Sequence, residues 1–108
     1  TILEGMATLL TKWGYQVFKA TEPEQAMQII QEQNIQVWLV DQHLNHDKVG
    51  LDFILAHRQD KVPVALITAD SDPDLPQRLK ELNIMLLRKP LKPAGLRAWL
   101  SGLKISTD

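Results

Sequence analysis

A doubly wound α/β layer is the fold this sequence predicts, and three observations predict it. Short apolar runs at Ile35–Asp41, Val62–Thr68 and Ile84–Pro90 have the length and composition of buried strands. Between them lie segments with apolar residues every three or four positions, the spacing of helices that bury one face. With a wetter strand at Tyr15–Ala20, the order becomes α-β-α-β-α-β-α-β-α. Such alternation implies right-handed crossovers and a parallel sheet covered on both faces.

Ile2, Leu3, Met6, Leu9, Leu10 and Trp13 form one helical stripe, and Gly14 stands where a helix end wants positive φ. Tyr15-Gln16-Val17-Phe18-Lys19-Ala20 alternates apolar and polar, which suits an edge strand. In Thr21-Glu22-Pro23-Glu24, Thr21 can cap a second helix, Pro23 suits its first turn and Glu24 completes a capping box. Ala26, Met27 and Ile30 carry the apolar side of this helix as far as Asn34. The run Ile35-Gln36-Val37-Trp38-Leu39-Val40-Asp41 is nearly continuous in apolar character, so it is expected to be the central strand, buried on both faces. Gln42 to Gly50 is a polar loop, and Leu51, Ile54 and Leu55 mark a short helix after it. The second buried run ends on Thr68 and tolerates Pro63 near its start. Ser71-Asp72-Pro73-Asp74 supplies a cap, an early Pro and first-turn acids for a helix lined by Leu75, Leu79 and Leu82. The third run leads to Lys89-Pro90, and Pro93, Leu96, Trp99, Leu100 and Leu103 define a last amphipathic helix.

The 108 residues suit one domain, with no repeat, low-complexity segment or interdomain linker. Without cysteine there is no disulfide, thiolate metal site or thiol catalysis. Twelve Lys and Arg against 13 Asp and Glu give a net charge of -1, which argues against a dedicated nucleic-acid surface. No apolar run reaches membrane-spanning length and no signal-peptide pattern opens the chain, so a cytoplasmic domain without membrane contact is expected.

In an open α/β sheet, ligands gather at the carboxyl ends of the strands. Three successive strand runs end on Asp41, Thr68 and Lys89, so adjacent strands would converge an oxygen nucleophile, a hydroxyl and a cation. That set suits phosphoryl transfer to a carboxylate, with Lys89 and Thr68 binding the oxygens on which charge accumulates. A divalent cation normally assists, offsetting the approach of carboxylate to phosphoryl. The plainer alternative is an Asp-Lys ion pair that closes the sheet edge, with Thr68 an ordinary strand residue.

Leu39-Val40-Asp41, Gly50-Leu51-Asp52, Leu66-Ile67-Thr68-Ala69 and Arg88-Lys89-Pro90-Leu91-Lys92-Pro93 together resemble the signature of a two-component response-regulator receiver domain. The resemblance runs from Ile2 to about Leu103. The stretches Ile67 to Asp70 and Lys89 to Arg97 are most similar to receivers at the C-terminus of hybrid sensor histidine kinases. It implies a flavodoxin-like fold and a phosphorelay role. Asp41 would be the phosphoacceptor for a histidine kinase or phosphotransfer domain, with Mg²⁺ present. His43 would offer its backbone carbonyl to the metal, alongside Asp41. Lys89 would pair with the phosphoryl group, the Lys89-Pro90 bond would be cis, and Thr68 would turn inward to couple phosphorylation to a surface change. Such a domain catalyses its own phosphorylation and dephosphorylation, and is primarily a signalling domain.

The sequence departs from the family pattern in several places. The resemblance implies an opening strand carrying an acidic pair for the metal, and these are absent, so residues 1–108 read as an N-terminally incomplete receiver domain. The remaining acidic metal ligands are then missing from this chain, unless a strand comes from elsewhere, as in domain swapping. Leu86 stands where the family has a switch aromatic, and Leu44-Asn45 replaces the usual Met-Pro. Docking or homodimerisation is expected on the face built from Ser71 to Leu103.

His43, His46 and His57 lack the spacing of a metal set, and His43 and His46 read as solvated loop residues. Trp13 and Trp99 belong to apolar helix faces, and Trp38 is expected to pack beneath a helix. Lys48, Arg58, Lys61 and Arg97 look like scattered surface charges. Besides the phosphoacceptor reading, a receiver-like docking module without phosphotransfer fits the missing acidic pair. A small flavodoxin-like enzyme or nucleotide-binding protein fits least, because no glycine-rich phosphate loop follows any strand.

Overall fold

The computed structural model describes residues 2–43 and 50–103. Its elements are α1 (Ile2–Lys12), α2 (Pro23–Glu32), β1 (Trp38–Asp41), α3 (Gly50–His57), β2 (Val64–Thr68), α4 (Leu75–Glu81), β3 (Met85–Arg88) and α5 (Pro93–Gly102). The three strands form one parallel sheet in the order β1-β2-β3. This is the doubly wound flavodoxin-like arrangement. The loop residues Leu44, Asn45, His46, Asp47 and Lys48 lie outside the described residues.

Two apolar clusters cover the faces of the sheet. Trp38, Val40, Val64 and Leu66 point to one side, where Leu51, Ile54, Leu75 and Leu79 of α3 and α4 meet them, flanked by Ala26, Met27 and Ile30 of α2. Ala65, Ile67 and Leu87 point to the other, against Met6 and Leu10 of α1 and Leu96 and Leu100 of α5. Alternation along each strand makes this division unavoidable. Trp38 lies beneath α3, its ring 5.9 Å from that of Phe53, and Trp13 and Trp99 pack at the margin of the second cluster.

The centre of the sheet differs from expectation. All five residues of β2 are buried, whereas β1 alternates between buried and half-buried. Among the described residues β1 pairs with β2 alone, so the Ile35–Asp41 run ends in an edge strand and β2 is the middle one. The physical reason lies in Tyr15–Ala20, which forms no strand. A strand needs a ladder partner for its backbone, and no described segment supplies one here. Tyr15 and Val17 instead rest on the α1–α5 side of the core.

Helix ends follow local chemistry, with two corrections. Glu22, not Thr21, is the N-cap of α2, and Gln25, not Glu24, closes its first turn by accepting the Thr21 N–H at 2.8 Å. With Pro23 at the first helical position, residue 25 rather than 24 is the one that reaches back. The fourth helix starts at Leu75, later than expected, with the acids of Asp72 and Asp74 in the turn before it. α1 ends at Gly14 with φ 95°; the N–H groups of Gly14 and Tyr15 donate to the carbonyls of Thr11 and Leu10. α4 ends the same way at Asn83, φ 57°, with Asn83 and Ile84 donating to Lys80 and Leu79.

Arg58 is no scattered surface charge. Its guanidinium donates to the carbonyls of Leu82 and Asn83 at 2.6 and 3.3 Å, satisfying the negative end of α4 from the end of α3. The Arg97 guanidinium stands 5.3 Å from the centre of the Trp13 ring, joining α5 to α1. His57 closes α3 with its ring 4.9 Å from that of Phe53.

Leu66 is fully buried at the middle of the sheet. Leu66→Ala is expected to lower unfolding free energy by about 2–5 kcal/mol, read from chemical denaturation.

Candidate functional site

The parallel ladders decide which side chains meet at the carboxyl edge. Asp41 pairs in register with Ile67, and Ile67 with Leu87, so Asp41 and the residues just past Leu87 lie at the same end. The ladders continue beyond the strands: Gln42 N–H donates to the Ile67 carbonyl and Lys89 N–H to that of Thr68, both at 2.9 Å. Lys89 then reaches across the end of β2. Its Nζ donates to Asp41 Oδ1 at 3.1 Å and to Oδ2 at 3.0 Å. The His43 N–H donates to Oδ1 at 2.9 Å, a tight turn that fixes the carboxylate against its own backbone. Oδ1 therefore has two donors and Oδ2 one. The Asp41 side chain keeps 36% of its exposure, enough for a second molecule to approach it.

Thr68 lies at the same edge but is turned elsewhere. Its hydroxyl is buried and accepts the Asp70 N–H at 2.9 Å. Asp70 Oδ1 accepts the Asp72 N–H at 3.0 Å, and Asp72 Oδ1 accepts the Asp74 N–H at 2.9 Å. Alternate side chains thus hold alternate amides from the end of β2 to the start of α4. Arg88 Nη1 donates to the Asp70 carbonyl and ties this loop to β3. Of the three strand-end residues, the structure joins Asp41 to Lys89 and leaves Thr68 on its own loop. The Lys89-Pro90 peptide bond is cis.

Sequence reasoning missed Gln42, and it quoted Gly50 and Arg88 as parts of the family signature without a role of their own. Gln42 is buried, its carbonyl accepting the Gly50 N–H and its side-chain Oε1 the Leu51 N–H. A Cβ on Gly50 would lie 2.5 Å from the Asp41 carbonyl oxygen and 2.7 Å from Gln42 Cα, so α3 can start against this backbone only with glycine there. A polar residue straight after a strand-ending carboxylate was the available signal for Gln42.

Mg²⁺ takes six oxygen ligands in near-octahedral geometry, commonly with one or two carboxylates. Asp41 and the His43 carbonyl are oxygens of the right kind. Among the described residues, however, no three acidic, His or Cys side chains come together, and Asp41 is already paired with Lys89. The described residues do not complete a Mg²⁺ site. A groove elsewhere, lined by Glu4, Ala7, Thr11 and Val17 among others, includes none of these site residues.

A family model for the response regulator receiver domain matches residues 1–101. The chain belongs to the response regulator receiver family. A search of solved structures places this receiver domain beside the structure of the Francisella response regulator 1452 receiver domain, with a TM-score of 0.78 at 20% identity. The match covers 94% of this chain and 86% of that one. At that identity the likeness speaks for the fold. No curated protein matches the sequence. Receiver domains serve two-component signalling and generally bind Mg²⁺ at the site of phosphorylation.

Two substitutions probe the local geometry. Thr68→Val keeps the shape and removes the acceptor; it should cost about 1 kcal/mol in chemical denaturation and speed hydrogen exchange at the Asp70 amide. Gly50→Ala should cost about 1–3 kcal/mol, measured as a lowered denaturation midpoint, because backbone rather than a flexible side chain meets the new methyl.

Proposed function

We propose that this receiver domain accepts a phosphoryl group on Asp41 from the phosphohistidine of a histidine kinase or phosphotransfer domain, and changes conformation in response. The observation that carries the reading is the Lys89 ammonium on both oxygens of a strand-end carboxylate that stays open to solvent. An Asp41 oxygen attacks phosphorus, the P–N bond to the donor imidazole breaks, and the imidazole keeps the electron pair and takes a proton from water. The product is an aspartyl phosphate. Oδ2, with one donor against two on Oδ1, is the oxygen that attacks. Lys89 follows the negative charge onto the phosphoryl oxygens, a charge-assisted contact that strengthens as charge builds there. Thr68 retains its own O–H proton and turns it to the phosphoryl group, disturbing the bonds that run from Asp70 to α4.

The motif texture suits the C-terminal receiver of a hybrid sensor kinase. Its place is the cytoplasmic side, where phosphohistidine is made from ATP. No described helix is long and apolar enough to cross a membrane. Partner docking or pairing of two copies would use the α4–β3–α5 side.

A second reading, a docking module without phosphotransfer, is favoured by one observation: no acidic cluster forms beside Asp41 among the described residues. Intact mass after incubation with Mg²⁺ and a small phosphodonor separates the two. Gain of one phosphoryl group, abolished by Asp41→Asn, supports the phosphoacceptor. A folded chain that stays unmodified, on its own and when joined to the rest of its protein, supports the docking module.

A further inference from the structure

We propose that Gln42 is a positioning residue that sets the orientation of the Asp41 carboxylate through the start of α3. The inference rests on the phosphoacceptor reading for its consequence, but its structural part stands on four hydrogen bonds.

The peptide unit between Gln42 and His43 is planar and rigid, so fixing one end fixes the other. At one end the Gln42 carbonyl accepts the Gly50 N–H at 3.1 Å. At the other, the His43 N–H donates to Asp41 Oδ1 at 2.9 Å. The carboxylate is therefore held by a plane whose far edge is anchored to α3. Gln42 adds a second anchor, because its side-chain Oε1 accepts the Leu51 N–H at 2.9 Å. Gly50 and Leu51 are the first two residues of α3, whose N–H groups have no partner within the helix. Gln42 satisfies both from outside, acting as a cap from nine residues away in sequence. Its own N–H is spent on the Ile67 carbonyl of the middle strand.

One residue thus joins the middle strand, the start of α3 and the peptide that grips the phosphoacceptor. A single backbone tie, Gly50 to Gln42, would let α3 pivot about that bond. The side-chain tie removes the pivot. The void-free contact at Gly50 holds the two backbones together, and the Gln42 amide fixes their angle. The carboxylate then keeps Oδ1 turned to His43 and presents Oδ2. Loss of the Gln42 acceptor should leave the phosphodonor's binding contacts alone and reduce the fraction of time that Asp41 is aimed for attack.

The test uses the whole chain, or the longer protein that contains it, with Gln42→Met, which keeps length and removes the acceptor, and Gln42→Glu, which keeps the acceptor. Amide hydrogen exchange is read at Leu51 and His43, and phosphorylation by acetyl phosphate with Mg²⁺ is followed by intact mass. Gln42→Met is expected to speed exchange at both amides by about tenfold. It should lower the phosphorylation rate at saturating acetyl phosphate by a similar factor with an unchanged KM for the donor, and Gln42→Glu should restore the His43 amide. If Leu51 alone loses protection while His43 and the rate stay as in the parent, Gln42 merely caps a helix and the proposal fails. If Gln42→Met does not fold, Gln42→Asn, too short to reach the Leu51 N–H, gives the same comparison. A parent chain that is never phosphorylated sinks the phosphoacceptor reading, whereas the His43 amide still decides the role of Gln42.

Discussion

Two parallel ladders on either side of a fully buried middle strand hold everything else in place. β2 is bonded to β1 and β3 in a register that leaves no freedom at the carboxyl edge. A slip of one residue would exchange Val64 and Leu66 with Ala65 and Ile67 between two covered faces and mismatch the side chains packed on each, so register is fixed by packing on both sides. The meeting of Asp41 and Lys89 across the end of β2 follows from that register. The ion pair does not hold the fold together: with part of both side chains in solvent, its attraction is screened. The fold holds the ion pair.

Around that pair the bonding is asymmetric in a way that suits a reactive carboxylate. Oδ1 is occupied by the His43 amide and Lys89, and Oδ2 by Lys89 alone. The hydroxyl of Thr68 is committed to its own loop, where a run of side-chain acceptors leads to α4 and Arg88 holds the first turn. The same few residues therefore link the end of β2 to a surface helix. Leu86, half-buried against the α3–α4 cluster, offers no polar tip for such a link, so the loop is the better placed carrier.

Much of this could be read in advance, and the failures share a cause. Helix stripes, the Gly14 terminus, the strand ends at Asp41 and Thr68 and the last helix all depend on residues close in sequence, where periodicity and capping chemistry act. The expected strand at Tyr15–Ala20 failed because alternation shows only that a segment could pair, whereas a partner must be present for it to do so. The same omission misplaced the sheet centre: the apolar run ending at Asp41 is as long as the run Val62–Thr68, yet it became the edge. Arg58 looked like surface because its acceptors, Leu82 and Asn83, are far along the chain.

By itself the sequence determined the α/β alternation, the two-sided apolar pattern and the presence of a carboxylate, a hydroxyl and an ammonium at successive strand ends. These are local properties, set by side-chain spacing and by the residue types on which apolar runs stop. Only the tertiary structure decided that Lys89 reaches Asp41, that Thr68 faces Asp70 instead, and that Gln42 and Gly50 hold α3 against the backbone that follows Asp41. Those outcomes turn on distances between segments that are remote in sequence, and only packing the sheet and helices into one body sets such distances.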